Sequence, residues 1–276
     1  TIAVSTTLQM GKLLPEKWAI NLPVHYDFSR NVSRPEYNLL NPDVKLKDDL
    51  KTYRTAQERD SIKRQTRALT QRQNFNLINV RKDRNGDKKA HFWDIENLDF
   101  SYAYTELKSY DVDMEYNNEK THRGSIGYNY NTTPKKLEFF KKAPKFKKNK
   151  WFKLISDMHV NLYPKTMSFQ TEVYRLFNES KIRNKSVGDI IIEPTFIKAF
   201  EWSRDYVLKW DIFQGLKFDY TASAKALITD PQGKVDTKKQ RDTVWRSFGN
   251  GGEMNDFSQH ININYQLPIN KIPIFN

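Results

Sequence analysis

The residue types able to do chemistry are few and scattered in this chain. Five histidines, His25, His91, His122, His159 and His260, could ligate a metal or move protons near neutral pH, yet they share no metal-ligand spacing such as His-x-x-x-His. His159 comes nearest to a catalytic pair, standing close to Asp157, but a single imidazole beside a single carboxylate arises readily by chance. Asp83-Arg84-Asn85-Gly86-Asp87 begins like a calcium loop, whose oxygen-rich turn wraps a hard cation. Its twelfth place holds Asp94 instead of the bidentate Glu, and no helix pair frames it, so a polar hairpin turn is expected. Serine nucleophile elbows, Walker loops and dinucleotide fingerprints are missing. With no cysteine there are no disulfides, iron–sulfur clusters or cysteine-based zinc sites. The expectation is a protein that is not an enzyme and carries no cofactor or metal.

What the sequence does repeat is alternation. Between Asn97 and Asn131, large apolar or aromatic residues take every second place over what reads as three consecutive strands. The same period runs from Trp18 to Phe28, from Leu216 to Ile228 and from Ile261 to Leu267. One face collects Trp18, Ile20, Leu22, Val24, Phe100, Tyr102, Tyr104, Val112, Met114, Ile126, Tyr128, Phe218 and Tyr220. The other collects Asn21, Asp27, Asp99, Ser101, Asp111, Asp113, Asn129 and Asp219, with Arg175, Lys209, Lys217 and Lys225 set against its carboxylates. About twelve strands follow, at 1–10, 18–30, 73–81, 97–105, 109–117, 124–132, 154–163, 166–176, 195–203, 205–213, 216–228 and 257–267.

Two all-β architectures fit this pattern: an antiparallel sheet protein in water, and a transmembrane β-barrel. Eleven unbroken alternating residues at 18–28 exceed the usual soluble strand of about five or six and match the roughly nine to eleven that span a bilayer. The expected fold is therefore an antiparallel transmembrane β-barrel wall, with the first face toward lipid and the second toward the lumen. No apolar run reaches the length of a helical span. The opening Thr1–Met10 is already strand text without initiator Met or signal peptide, and the end lacks a clean final strand, so residues 1–276 are expected to be a segment of one larger barrel.

Long connections interrupt the strands. Residues 31–72 form a polar excursion with one helical region at 45–69; 133–153 is a basic loop and 229–256 a polar one. Counting strands places 31–72, 133–153 and 177–194 on the extracellular side, opposite 82–96 and 229–256. The 46 basic residues against 33 acidic ones give a net charge of +13. Lysines at 135–150 and 234–241 lie in connections without a groove-reading or base-stacking motif, so nucleic acid is not an expected partner.

Several ordered stretches resemble the SprA (Sov) family: Gly11 to Pro23, Pro35-Glu36-Tyr37, Asp43 to Asp48, Phe75 to Lys82, Trp93 to Tyr102, Phe200 to Arg204 and Leu216 to Tyr220. The resemblance implies the outer-membrane translocon of the type 9 secretion system of Bacteroidota, which exports folded cargo and supports gliding motility. It implies a multi-pass outer-membrane location and a barrel of about 36 strands, the size of the largest known, of which this chain would be a third. Implied partners are the remaining barrel segments, a PorV-type barrel, a plug protein, a peptidyl-prolyl isomerase-like subunit, cargo with C-terminal secretion signals, and membrane lipid with lipopolysaccharide. A self-contained porin or transporter barrel, and a soluble β-rich binding or structural protein, stay open beside it.

Overall fold

The computed structural model describes residues 1–38, 41–84, 86, 90–138, 159–185, 191–213 and 215–266. Among them the alternating segments form one antiparallel sheet of twelve strands and a separate two-stranded hairpin. Nine strands lie side by side in the order β1 (Ile2–Gln9), β3 (Pro23–Ser33), β6 (Ala68–Lys82), β7 (Leu98–Tyr110), β8 (Met114–Asn131), β11 (Thr166–Ile182), β12 (Thr195–Phe213), β13 (Leu216–Leu227) and β14 (Glu253–Tyr265). Short pieces complete it: β2 (Ile20–Asn21) beside β6, and β10 (His159–Asn161) between the end of β12 and β9 (Lys136–Glu138). The hairpin is β4 (Tyr37–Asn38) with β5 (Asn41–Lys45), followed by helices α1 (Leu46–Thr52) and α2 (Ala56–Thr66). A third helix, α3 (Lys238–Gly249), lies between β13 and β14.

Register turns the alternation into two faces, because residues directly opposite on neighbouring strands share a side. One row reads Leu8, Val24, Leu77, Tyr102, Gly124, Val173, Trp202, Ala226 and Met254 from edge to edge. A row on the opposite face reads Ser101, Ser125, Glu172, Ser203, Lys225 and Asp256. In β6 a bulge sets Leu77 against Tyr102 and Val80 against Phe100, three steps on one strand for two on the other. Asn79 takes a left-handed φ of 57° there and donates its N–H to Ser101 Oγ at 2.9 Å. The extra residue keeps Val80 on the aromatic face, which a plain insertion would have flipped.

Two expected strand breaks are absent. Residues 109–117 and 124–132 do not form separate strands: β7 runs on to Tyr110, a turn occupies 111–113, and β8 continues through Asn118 to Arg123 for 18 residues. That stretch is poor in β-formers, but β7 and β11 pair it from both sides, and pairing overrides propensity. Likewise 195–203 and 205–213 are one 19-residue strand, with Arg204 laid over the Trp202 ring at 4.6 Å. These mergers change the ends. Connections 34–67, 111–113, 183–194 and 228–252 share one end of the sheet, while 10–22, 83–97, 132–165 and 214–215 share the other. Residues 133–138, the described start of the basic excursion, therefore lie opposite 31–72, and 229–256 lies on the same end as 31–72, contrary to the strand count. Residues 139–153 of the basic loop, and 154–158 of the strand expected at 154–163, fall outside the described residues.

Burial is concentrated where α3 lies on β12 and β13. Ala222, Ala224, Ala226, Ile228 and Val244 are buried there, and the small alanines leave room for the helix. Phe248 stacks on Trp202 at 4.8 Å and on Phe200 at 6.2 Å. Elsewhere the described residues cover little of the sheet, apart from 90–93 beside Tyr128 and Tyr130. Its accessible surface is 19744 Å², against roughly 12,400 Å² for a compact monomer of this mass.

The barrel expectation is overturned by the edges. Among the described residues β1 pairs only with β3 and β14 only with β13, so over them the sheet is neither closed nor curled into a barrel. Alternation specifies two faces but says nothing of closure, which requires the first and last strands to meet. The corrections extend to what rested on closure: this chain is not shown as the wall of a 36-stranded or porin-type barrel, a translocon, a gliding component or a multi-pass outer-membrane protein. The face assigned to lipid also carries Glu106, Lys120, Arg175, Lys198 and Arg204, and a helix rests on it. An Arg or Lys facing hydrocarbon at midplane costs about 2–4 kcal/mol. No helix among the described residues is long and apolar enough to cross a membrane.

Candidate binding edges and the aromatic face

The two outer strands are exposed along their whole length. On β14, the Gln266 N–H donates to Gly215 O at 2.7 Å, so even-numbered residues turn their main chain toward β13 and odd-numbered ones turn theirs outward. Phe257, Gln259, Ile261, Ile263 and Tyr265 therefore turn outward N–H and C=O groups that no described residue pairs. On β1, the Met10 N–H donates to Leu22 O at 2.9 Å, which leaves Ala3, Ser5, Thr7 and Gln9 outward. β1 carries no charged side chain, and neither does β14 from Phe257 onward. Charges, prolines and covering loops are the usual guards of a sheet edge, and these stretches lack the first two.

The aromatic face between the edges holds a charged seam. Asp230, 5% exposed, accepts from Arg175 at 3.1 Å and from Lys198, 10% exposed, at 3.1 Å. Arg175 also lies over the Phe200 ring and Lys198 over Phe177. Next in the row, His122 contacts the Tyr102 hydroxyl at 2.9 Å, and burial, with the charges of Arg175 and Lys120, pushes its pKa down. Among the described residues no carboxylate is hydrogen-bonded to this imidazole.

Further along the same face, Glu106 accepts from Lys108 at 2.9 Å and from Gln73, and lies 3.8 Å from Lys120. Burial raises its pKa, but the hydrogen bonds of Lys108 and Gln73 and the charges of Lys108 and Lys120 outweigh that and hold it below the usual 4.5. A carboxylate depressed in the folded state contributes stability above its unfolded pKa and loses it as pH falls through the folded value. Glu106→Gln should therefore flatten the acid limb below pH 4.5, read from urea midpoints across the acid range. An acid slope equal to that of the parent chain would contradict this.

A cleft of about 1170 Å³ opens at the end of the face where residues 90–93 fold over Tyr130 and Met167. Its aromatic wall is braced: His91 stacks on Trp93 at 5.0 Å, and Tyr128 OH donates to Phe92 O at 2.7 Å. Lys135 and Lys165 also line the cleft. Such a cleft suits a flat group carrying negative charge.

The structure places the sequence-derived face residues as follows. Ile20, Val24, Phe100, Tyr102, Tyr104, Met114, Ile126, Tyr128, Phe218 and Tyr220 lie on the aromatic face, while Trp18, Leu22 and Val112 lie outside the strands. Asn21, Asp27, Asp99, Ser101, Asn129 and Asp219 lie on the polar face. Asp111 and Asp113 form the turn before β8, where Asp111 Oδ1 accepts the N–H groups of Asp113 and Met114. Arg175 is not with Lys209, Lys217 and Lys225 but on the aromatic side. The histidines stay apart: His25 on β3 pairs with Asp27 at 2.7 Å, His122 is on β8, His159 on β10 and His260 on β14. Asp157, Asn85 and Asp87 lie outside the described residues, and Asp83 pairs with Arg81.

Two elements escaped the sequence reading. Helix α3 had a local signal, the capping box Thr237-x-x-Gln240 ahead of Val244 and Phe248 at helical spacing. The Asp230 seam had none, since its partners stand 55 and 32 residues away.

A search of curated proteins finds no match. Residues 1–50, which hold β1 to β5 and the start of α1, match the SprA_N family model, described as motility related/secretion protein, so over that stretch the chain is similar to this family.

Proposed function

We propose that this chain is a non-catalytic β-rich structural and binding module that joins other polypeptide segments by strand addition at its edges. The observation that carries the reading is the pair of exposed outer strands, each with a row of outward main-chain groups and no charge along the free stretch. An added strand satisfies those groups directly, and pockets between alternate side chains give it selectivity. The aromatic face supports binding in the same way, as a broad apolar surface with a charged seam. The match to a motility and secretion family over residues 1–50 accords with a part that works within a larger assembly.

The test is a double substitution, Ala3→Pro with Gln259→Pro. Both residues turn their N–H outward, so proline removes an edge donor without breaking a bond inside the sheet. Binding to immobilised extended peptides should weaken by about tenfold or more while the melting temperature moves by only a few degrees. Equal peptide binding by the parent and the variant would reject the reading.

A further inference from the structure

The cleft where residues 90–93 fold over Tyr130 has features that strand addition does not use. Phe92 and Trp93 are 59% and 68% exposed, yet the chain that carries them is firmly tied. The His91 N–H donates to Asp94 Oδ2 at 2.8 Å, Asn97 Nδ2 donates to His91 O at 2.7 Å, and Arg84 holds both Asn97 and Asp94. From the sheet below, the Tyr128 hydroxyl donates to Phe92 O. His91 stacks on Trp93 and Phe92 meets it edge-on at 4.6 Å, so the rings form a wall broader than any one of them. Apolar rings held in water on a braced loop are a platform that needs little ordering when a ligand stacks on it.

The polar groups of the cleft decide what can lie on that platform. Several main-chain carbonyls around it are already taken: His91 O by Asn97 Nδ2 and the Asp94 N–H, Phe92 O by Tyr128, Lys165 O by the Thr132 N–H, and Lys135 O by the Leu162 N–H. The strongest groups left are the ammonium ions of Lys135 and Lys165. Among the described residues no carboxylate lines the cleft or pairs with either lysine. An ammonium offers three donors and no acceptor. A ligand rich in hydroxyls, such as a sugar, would bring donors to a site already rich in them. A carboxylate brings acceptors alone, and its bonds to a cation are shorter and stronger than neutral ones. The volume of about 1170 Å³ leaves room for more than one ring, since small-molecule sites usually measure about 300–1,000 Å³.

Going beyond strand addition and independent of it, we infer that this cleft binds a fused-ring aromatic carboxylate, with its rings against Phe92 and Trp93 and its carboxylate on Lys135 and Lys165.

Calorimetric titration of the full chain with three matched probes tests this: naphthalene-2-carboxylate, the neutral 2-naphthamide and the cationic 2-naphthylmethylammonium. The carboxylate should bind about tenfold more tightly than the amide, and the ammonium more weakly than either. Lys135→Gln with Lys165→Gln should bring the carboxylate down to the level of the amide and leave the amide unchanged. Trp93→Ala should weaken both by about tenfold. All three side chains are exposed, so these variants keep the fold. The outer strands are untouched, so peptide binding to them reports strand addition separately. Equal binding of the three probes, or no binding of the carboxylate, would overturn the inference. A carboxylate preference that survives the double lysine variant, or binding that ignores Trp93→Ala, would do so as well.

Discussion

Asp230→Ala is expected to lower the unfolding free energy by about 3 to 5 kcal/mol, because it leaves two cations on a largely covered face without their shared counter-ion. Asp230 and Lys198 are 5% and 10% exposed, and among the described residues Lys198 would keep the Pro231 carbonyl, at 2.7 Å, and the Phe177 ring but no anion. Arg175 would lose both of its bonds to the Asp230 carboxylate and keep its contact with the Phe200 ring. The seam also ties the 229–237 connection to β11 and β12, so α3 should loosen with it. Denaturant unfolding of the single variant and of Asp230→Ala with Lys198→Met checks this. The second change should recover part of the loss by removing the stranded charge. A loss below about 1 kcal/mol would mean that water screens the seam as it does an exposed pair.

Gly215→Ala should cost about 2 to 3 kcal/mol and free the end of β14. Gly215 has a φ of +89°, and a Cβ there would stand 2.2 Å from Gln266 O, a main-chain atom that cannot swing aside. The same glycine accepts the Gln266 N–H, so displacement breaks the bond that closes the ladder between β13 and β14. Gly233 provides the contrast. It too has a positive φ, +71°, but nothing lies within 4 Å of its added Cβ. Gly233→Ala should then cost only the backbone term, about 1 kcal/mol. Equal losses at the two sites would show that the close approach at Gly215 does not matter.

The antiparallel sheet and its two faces were legible because alternation is local: Phe100, Tyr102 and Tyr104 against Asp99, Ser101 and Ala103 state the period without any knowledge of neighbours. Strand ends were less legible. Asn118 to Arg123 reads as a polar connection, yet β8 passes through it because two partners pair with it. Arg204 looked like a break and is a mid-strand residue resting on Trp202. Closure was not legible at all. Whether β1 meets β14 depends on strand direction and curvature summed over the sheet, and no residue in Ile2–Gln9 or Glu253–Tyr265 records it. Of the candidate sites, the edges follow from the strands at the two ends of the sheet order, while the Asp230 seam joins segments that sequence proximity never links.

Openness of the sheet is tested most directly by one distance. Leu8 and Met254 are the two ends of a single cross-strand row, separated by eight steps between nine strands. The chain has no cysteine, so nitroxide labels at Leu8→Cys and Met254→Cys are unique. At about 4.8 Å per step, an open sheet places them roughly 30 to 40 Å apart by pulsed electron–electron resonance, the twist taking up part of the span. A distance below about 15 Å, the scale of neighbouring strands, would mean that the edges meet and would contradict both the open sheet and the strand addition built on it.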